Sequence, residues 1–261
     1  MAKFCPLFSG SSGNATYIGT PDGGILIDAG VSAKRIGQAL VAHDIEPSSI
    51  NALFVTHSHS DHICGIKTFA AKNHIPVYLT DGTLQGIKDS STYSDKIDYH
   101  CINGDVELDF AKVTSFSTSH DCLGSCGYVV DLGSRKIAVC TDLGYISDTV
   151  HEALCGCDLV MLESNHDVKM LQSNTLYPYP LKKRILSDEG HLSNNACADE
   201  SAKLLQSGTT RFVLAHLSRE NNLPPLAKET TRAQLSITGA KDGVDYRLAV
   251  ASPFDNRMII L

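Results

Sequence analysis

In the stretch VTHSHSDHICG, residues 55–65, three histidines and an aspartate fall within six positions: His57, His59, Asp61 and His62. The run NALFV just before it is apolar and reads as a buried strand, so these donors arrive at a strand's C-terminal end. On an extended or looped backbone His57 and His59 point the same way, with ring nitrogens able to reach one cation at ~2.0–2.1 Å. Asp61 and His62 lie just beyond and can turn toward a second. One loop rarely completes a catalytic site, so the remaining chain has to bring further donors to it.

Several other apolar runs end in residues of the same kind. GGILIDAG (23–30) reads as a strand and turn carrying Asp28, AKVTSFSTSH (111–120) as a strand ending in His120, and RKIAVCTD (135–142) as one ending in Asp142. DLVMLES (158–164) carries Glu163, and RFVLAHLS (211–218) carries His216. PVYLT (76–80), GYVVDLG (127–133) and YRLAVAS (246–252) read as further strands. Helical spacing appears in 32–45 behind a capping Ser32, in CGIKTFAAKNH, in 193–208 between Ser193 and Gly208, and in 223–235. Segment 165–192 has poor periodicity and two prolines in SNTLYPYPLKKR, and reads as a long loop. Strands with interspersed helices indicate a layered α/β or α+β domain.

At 261 residues, with 43% hydrophobic and 20% charged content, the chain is expected to be one soluble domain over 1–261. No apolar run approaches the ~18–20 residues needed to span a bilayer. The N-terminal MAKFCPLFSGSSGNATYIG has no signal-peptide core, and the expected location is the cytoplasm. The nine cysteines are scattered and read as reduced, mostly buried thiols, because CLGSC and CGC have no second pair at zinc-finger spacing. A net charge of −7 excludes a global electrostatic footprint for nucleic acid, though not an enzyme whose local field comes from bound cations.

The H-x-H-x-D-H motif, with Asp28 before it and His120, Asp142 and His216 after it in order, resembles the metallo-β-lactamase superfamily. The resemblance covers nearly the whole chain and implies an α+β fold, a four-layer αββα sandwich forming a single domain. It implies two divalent metal ions: one on His57, His59 and His120, one on Asp61, His62 and His216, with Asp142 bridging them and a water bridging opposite. Zinc and manganese both suit this set. Asp142 stands where lactamases usually carry cysteine or serine, which points to the phosphodiesterase, nuclease and thioesterase branches.

Glu163 in MLESN and His191 in GHLSN resemble the Glu–His pair that helps protonate the leaving oxygen in tRNA-processing RNase Z enzymes; a carboxylate orienting a histidine makes physical sense as a general acid. The segments SGSSGNA (9–15), ESNHD (163–167), YPYPLKKRILSDEGHLSN (177–194) and LAHLSRENN (214–222) are similar to the bacterial YycJ (WalJ) family, which implies a 5′-to-3′ DNA exonuclease. In that reading Asp61 with the bridging water forms the nucleophile, and His191 is the acid. SGSSGNA reads either as a phosphate-wrapping loop or as a turn beside the metals. Lys182, Lys183 and Arg184 read either as backbone contacts to nucleic acid or as a solvated run. The 73 residues between Asp142 and His216 leave no room for the inserted domain of RNase J-type nucleases. Segment 165–192 is a poor match for the tRNA-gripping arm of RNase Z. The rival readings are a small cyclic or nucleotide phosphodiesterase, a non-catalytic regulator of cell-wall signalling and, more distantly, a thiolesterase.

Overall fold

Short apolar runs separated by turn residues build the first part of the chain into a mixed sheet. The structure is a computed structural model that describes residues 1–254 and 257–261. It divides into two units: Met1–Ser115 with Cys122–Cys126 and Ser252–Leu261, and Phe116–Asp121 with Gly127–Ala251.

In the first unit β1 (Lys3–Phe8), β2 (Ala15–Thr20) and β3 (Gly23–Ile27) form an antiparallel meander, with the C-terminal strand Ile259–Ile260 outside β1. Next to β3 lie β4 (Ile50–Phe54), β5 (Val77–Leu79) and β6 (Tyr99–Cys101), each parallel to its neighbour. Parallel pairing requires crossovers. These are α1 (Ala33–Val41), then α2 (Ser60–Ile63) with α3 (Ile66–Asn73), then α4 (Asp81–Lys88). Ile36 and Leu40 of α1 and Ile66 and Phe69 of α3 pack on Leu26 and Leu53 of the sheet, giving the unit its core. An antiparallel hairpin follows, β7 (Asp105–Leu108) and β8 (Ala111–Ser117); it belongs to the second of the two sheets, and Phe116 and Ser117 fall in the second unit.

In the second unit β9 (Cys126–Asp131) pairs antiparallel with β10 (Lys136–Cys140). β11 (Leu159–Glu163), β12 (Arg211–Ala215) and β13 (Arg247–Val250) continue in parallel. All five residues of β11 are buried, which fits the unbroken apolar run Leu159–Leu162 ahead of Glu163. Its crossovers are α5 (Asp148–Leu154), α6 (Val168–Ser173), α7 (Tyr179–Ile185), α8 (Asn194–Gln206) and α9 (Pro224–Ile237). Leu204 of α8 and Ala227 and Leu235 of α9 join Leu162 and Leu214 in the core.

Two expectations need correction, and one helix was not expected. Segment 165–192 is not a structureless loop, since it holds α6 and α7. Each is too short to show periodicity, and the two prolines start α7 rather than break it, Pro178 at the N-cap and Pro180 in the first turn. Ser32 occupies the N-cap of α1 but its hydroxyl accepts no helix N–H, whereas the Ser193 hydroxyl does cap α8, accepting from Ala196 at 3.2 Å. The helix over Asp81–Lys88 escaped the reading because Gly82 and Gly86 dilute its pattern; Thr80 caps it. Five of the nine cysteines are buried. No helix among the described residues is long and apolar enough to cross a membrane.

Candidate metal-binding residues of the two units

Leaving β3, the chain turns at Asp28, whose φ of 62° lies in the left-handed region. Its N–H donates to Phe54 O at 2.8 Å, tying the turn to the end of β4. Its buried carboxylate then organises the histidine loop. Oδ1 accepts the Thr56 N–H at 2.8 Å, and Oδ2 accepts from His62 Nδ1 at 2.7 Å. The Thr56 hydroxyl contacts both oxygens and lies 3.1 Å from His57 Nδ1. A buried carboxylate is tolerable only when satisfied in this way. With Nδ1 committed to Asp28, the Nε2 edge of His62 faces Asp61 Oδ2 at 3.6 Å.

His57 Nε2 and His59 Nδ1 stand 3.1 Å apart. Two nitrogens each about 2.1 Å from one ion, at angles of about 90–110°, are separated by about 3.0–3.4 Å, so the pair is spaced to share a cation.

SGSSGNA forms a turn. Gly13 N–H donates to Gly10 O at 2.9 Å, and Asn14 Oδ1 accepts from Gly10 N at 2.9 Å. Asn14 also grips the donors: its N–H reaches Asp61 O at 2.8 Å, and Nδ2 lies 3.0 Å from His62 Nε2. Gly30 is required where the loop closes, because a Cβ there would sit 1.6 Å from Asp61 O. The sequence reading singled out this stretch but missed Asn14, whose partners lie 47 and 48 residues away.

In the second unit the strand ends supply Asp142 after β10, Glu163 at the end of β11 and His216 after β12. Asp142 and His216 again have left-handed φ, 61° and 53°. His191 comes from the segment joining α7 to α8. Ligand atoms of Asp142, Glu163, His191 and His216 all lie within 4.8 Å of one another. Glu163 Oε1 accepts from His191 Nδ1 at 2.8 Å and from His216 Nδ1 at 2.9 Å. Its Oε2 accepts the N–H groups of Leu143 at 3.0 Å and Leu192 at 3.1 Å. Asp142 Oδ1 lies 3.1 Å from His216 Nδ1, 3.6 Å from His191 Nδ1 and 4.0 Å from His120 Nε2. His120 is buried and donates Nδ1–H to Gly190 O at 3.0 Å.

The structure therefore places Glu163 against His191, as the sequence suggested, and adds a second histidine to the same carboxylate oxygen. Burial alone would raise the Glu163 carboxyl, but the adjoining imidazoles outweigh it and hold the group below the carboxylate range. Burial likewise works against a charged His191, and the Glu163 carboxylate overcomes it, raising the imidazole above its ordinary value. His166, which sequence reading passed over, is buried, and neither ring nitrogen has a hydrogen-bond partner among the described residues; burial pushes it down to about 4. Imidazole and carboxylate donors in these numbers fit divalent zinc or manganese.

Residues 24–217 match the family model of the beta-lactamase superfamily domain. The chain is 36% identical to an exodeoxyribonuclease WalJ of Streptococcus pneumoniae, over 96% of this chain and 94% of that protein. It is 34% identical to an exodeoxyribonuclease YycJ of Bacillus anthracis, over 96% and 95%. Among solved structures it is similar to the metallo-beta-lactamase fold protein YhfI of Bacillus subtilis, with a TM-score of 0.74 at 15% identity, covering 98% of this chain and 99% of that one.

Proposed function

The chain belongs to the metallo-β-lactamase superfamily and, within it, to the family of the WalJ and YycJ exodeoxyribonucleases; on that premise we propose that it is a dinuclear metal-dependent phosphodiester hydrolase that digests DNA from a 5′ end. The expected α+β metallo-β-lactamase fold is the one the chain has, and in this reading residues 1–261 act as one cytoplasmic hydrolase domain.

His57, His59 and His120 would hold one zinc or manganese ion, and Asp61, His62 and His216 the other, with Asp142 serving both. Bound divalent ions supply Lewis acidity and a water acidic enough to ionise near neutral pH. The protein's own groups do the rest. Asp61, half-buried beside His62, is placed to accept a proton from the attacking water. His191, its charged form favoured by the contact with Glu163, is placed to donate a proton to the leaving oxygen. Glu163 stays ionised throughout, since four donors converge on it. The observation that carries the reading is the His191–Glu163 pair: a thiolate departs without a proton, whereas a departing alkoxide is strongly basic and calls for an acid of this kind.

Incubating the metal-loaded protein with end-labelled duplex DNA tests this. Nucleotide release with manganese or zinc, lost in His191→Ala with metal content intact, is expected. The net charge of −7 favours a second reading, a small-molecule phosphodiesterase. Cleavage of bis-p-nitrophenyl phosphate without any release from DNA would establish that reading and end the first.

A further inference from the structure

The second unit carries a groove of about 470 Å³ lined by Gln172, Tyr179, Lys182, Lys183, Leu186 and Ser187. We propose that this groove between α6 and α7 binds an unpaired nucleotide of the DNA strand, with the base stacked on Tyr179 and its phosphate against Lys182 and Lys183. The inference rests on the nuclease reading above and names where that substrate is held.

Three observations lead to it. First, the lining is unlike the rest of this acidic chain. Its charged members are two lysines, with no carboxylate among the six residues. Sequence-independent binding of single strands needs just this pairing of cations with a flat aromatic face. Second, the apolar surface is offered outward. Tyr179 is 77% exposed, and Leu186, two turns further along the same helix, is 43% exposed. A tyrosine left open at a helix start beside two lysines buries nothing in the fold itself. A volume of this size also falls within the range of small-ligand sites.

Third, the groove is fastened to the candidate acid. Ser187 in its wall precedes His191 by only four residues. His191 N–H donates to Ile185 O at 3.0 Å, and Gly190 N–H to Ser187 O at 2.9 Å. Asp121 N–H donates to Glu189 O at 3.0 Å, and Arg184 is paired with the Asp121 carboxylate. The groove's wall and the segment that carries His191 are therefore one hydrogen-bonded unit.

The structure also sorts the basic run by role. Arg184 is spent on Asp121, and Lys182 Nζ donates to Gln172 O at 2.7 Å while keeping further N–H donors. Lys183 is exposed. Phosphate contact thus falls mainly to Lys183.

The test compares Tyr179→Ala, Tyr179→Phe and Lys183→Gln with wild type on single-stranded-tailed DNA and on bis-p-nitrophenyl phosphate. Tyr179→Ala should raise KM for DNA about tenfold, because one base stack is lost, and leave the small diester's kcat and KM unchanged. Tyr179→Phe should behave as wild type, since stacking needs the ring and not the hydroxyl. Lys183→Gln should flatten the dependence of log KM on log salt by about 0.7, the value for one single-strand phosphate contact. Unchanged DNA KM in both Tyr179→Ala and Lys183→Gln overturns the proposal. Should wild type cleave only the small diester, the nuclease reading falls by itself. The groove is then assayed by anisotropy with a labelled single-stranded oligonucleotide: about tenfold weaker binding by Tyr179→Ala supports it, and no binding by wild type overturns it.

Discussion

In the first unit Asp28 accepts from Thr56 and His62, two residues of the single loop that follows β4. In the second, Glu163 accepts from four groups on three separate segments: Leu143 after β10, His191 and Leu192 before α8, and His216 after β12. Both carboxylates are buried, and both fix a histidine through its Nδ1 so that the opposite ring edge is presented. The difference lies in what depends on them. Asp28 shapes one local loop whose donors already sit close in sequence. Glu163 is a junction, and without it three distant segments lose their common anchor. A compact donor motif needs a clamp, whereas dispersed donors need a hub.

The largest effect should come from breaking the hub. Glu163→Gln places an amide NH₂ among four donors, and a stability loss of about 3–5 kcal/mol is expected by urea denaturation. Asp28→Asn should cost about 1–3 kcal/mol, because fewer donors are opposed. Equal losses at the two positions would erase the distinction between clamp and hub.

Within the hub, the two histidines on Glu163 can be separated. His216→Ala should lower bound metal as measured by elemental analysis. His191→Ala should keep the metal and lower nucleolytic kcat by about 10²–10⁴-fold, the usual contribution of a general acid. Loss of metal in both variants would mean that His191 ligates rather than donates.

The second unit should also be acid-sensitive through His166. Its folded-state pKa is near 4, below the ordinary value of 6.5. Between those values the unfolded chain takes up a proton that the folded chain refuses, so stability falls as pH drops from about 6.5 toward 4. The integrated loss is about 3 kcal/mol, and His166→Phe should flatten the metal-free protein's stability profile in that window. A profile unchanged by the substitution would show that His166 finds a proton acceptor.

The smallest effect is expected at Asn14. Asn14→Ala removes its side-chain contacts to Gly10 and His62 and should destabilise the clamp by about 1 kcal/mol. Metal should be lost preferentially from the first unit's donors, seen as a lower stoichiometry on titration.

His57, His59, Asp61 and His62 announced themselves because they are adjacent, and Asp28, His120, Asp142 and His216 because each lies at or just past the end of an apolar run. The exit geometry is local too. Asp28, Asp142 and His216 take left-handed backbone at the strand ends, a conformation that aspartate and histidine tolerate better than most residues. Residue type, periodicity and turn chemistry were therefore enough for a layered α/β or α+β domain and for nominating these residues; the metallo-β-lactamase fold itself came from the resemblance of the ordered motifs. The two short helices α6 and α7 were not legible, since six or seven residues with prolines at the start carry no period to read.

Nor could the sequence assign partners. Glu163 reads as an orienter of His191, and only the folded chain shows His216 on the same oxygen, 53 residues away. The same holds for Asn14 on the histidine loop and for Arg184 drawn off to Asp121, leaving Lys183 to face the groove. Strand and helix signals are set by neighbours a few residues apart. Which buried polar groups satisfy one another is set by which loops the sheets bring together, and no local pattern encodes that choice.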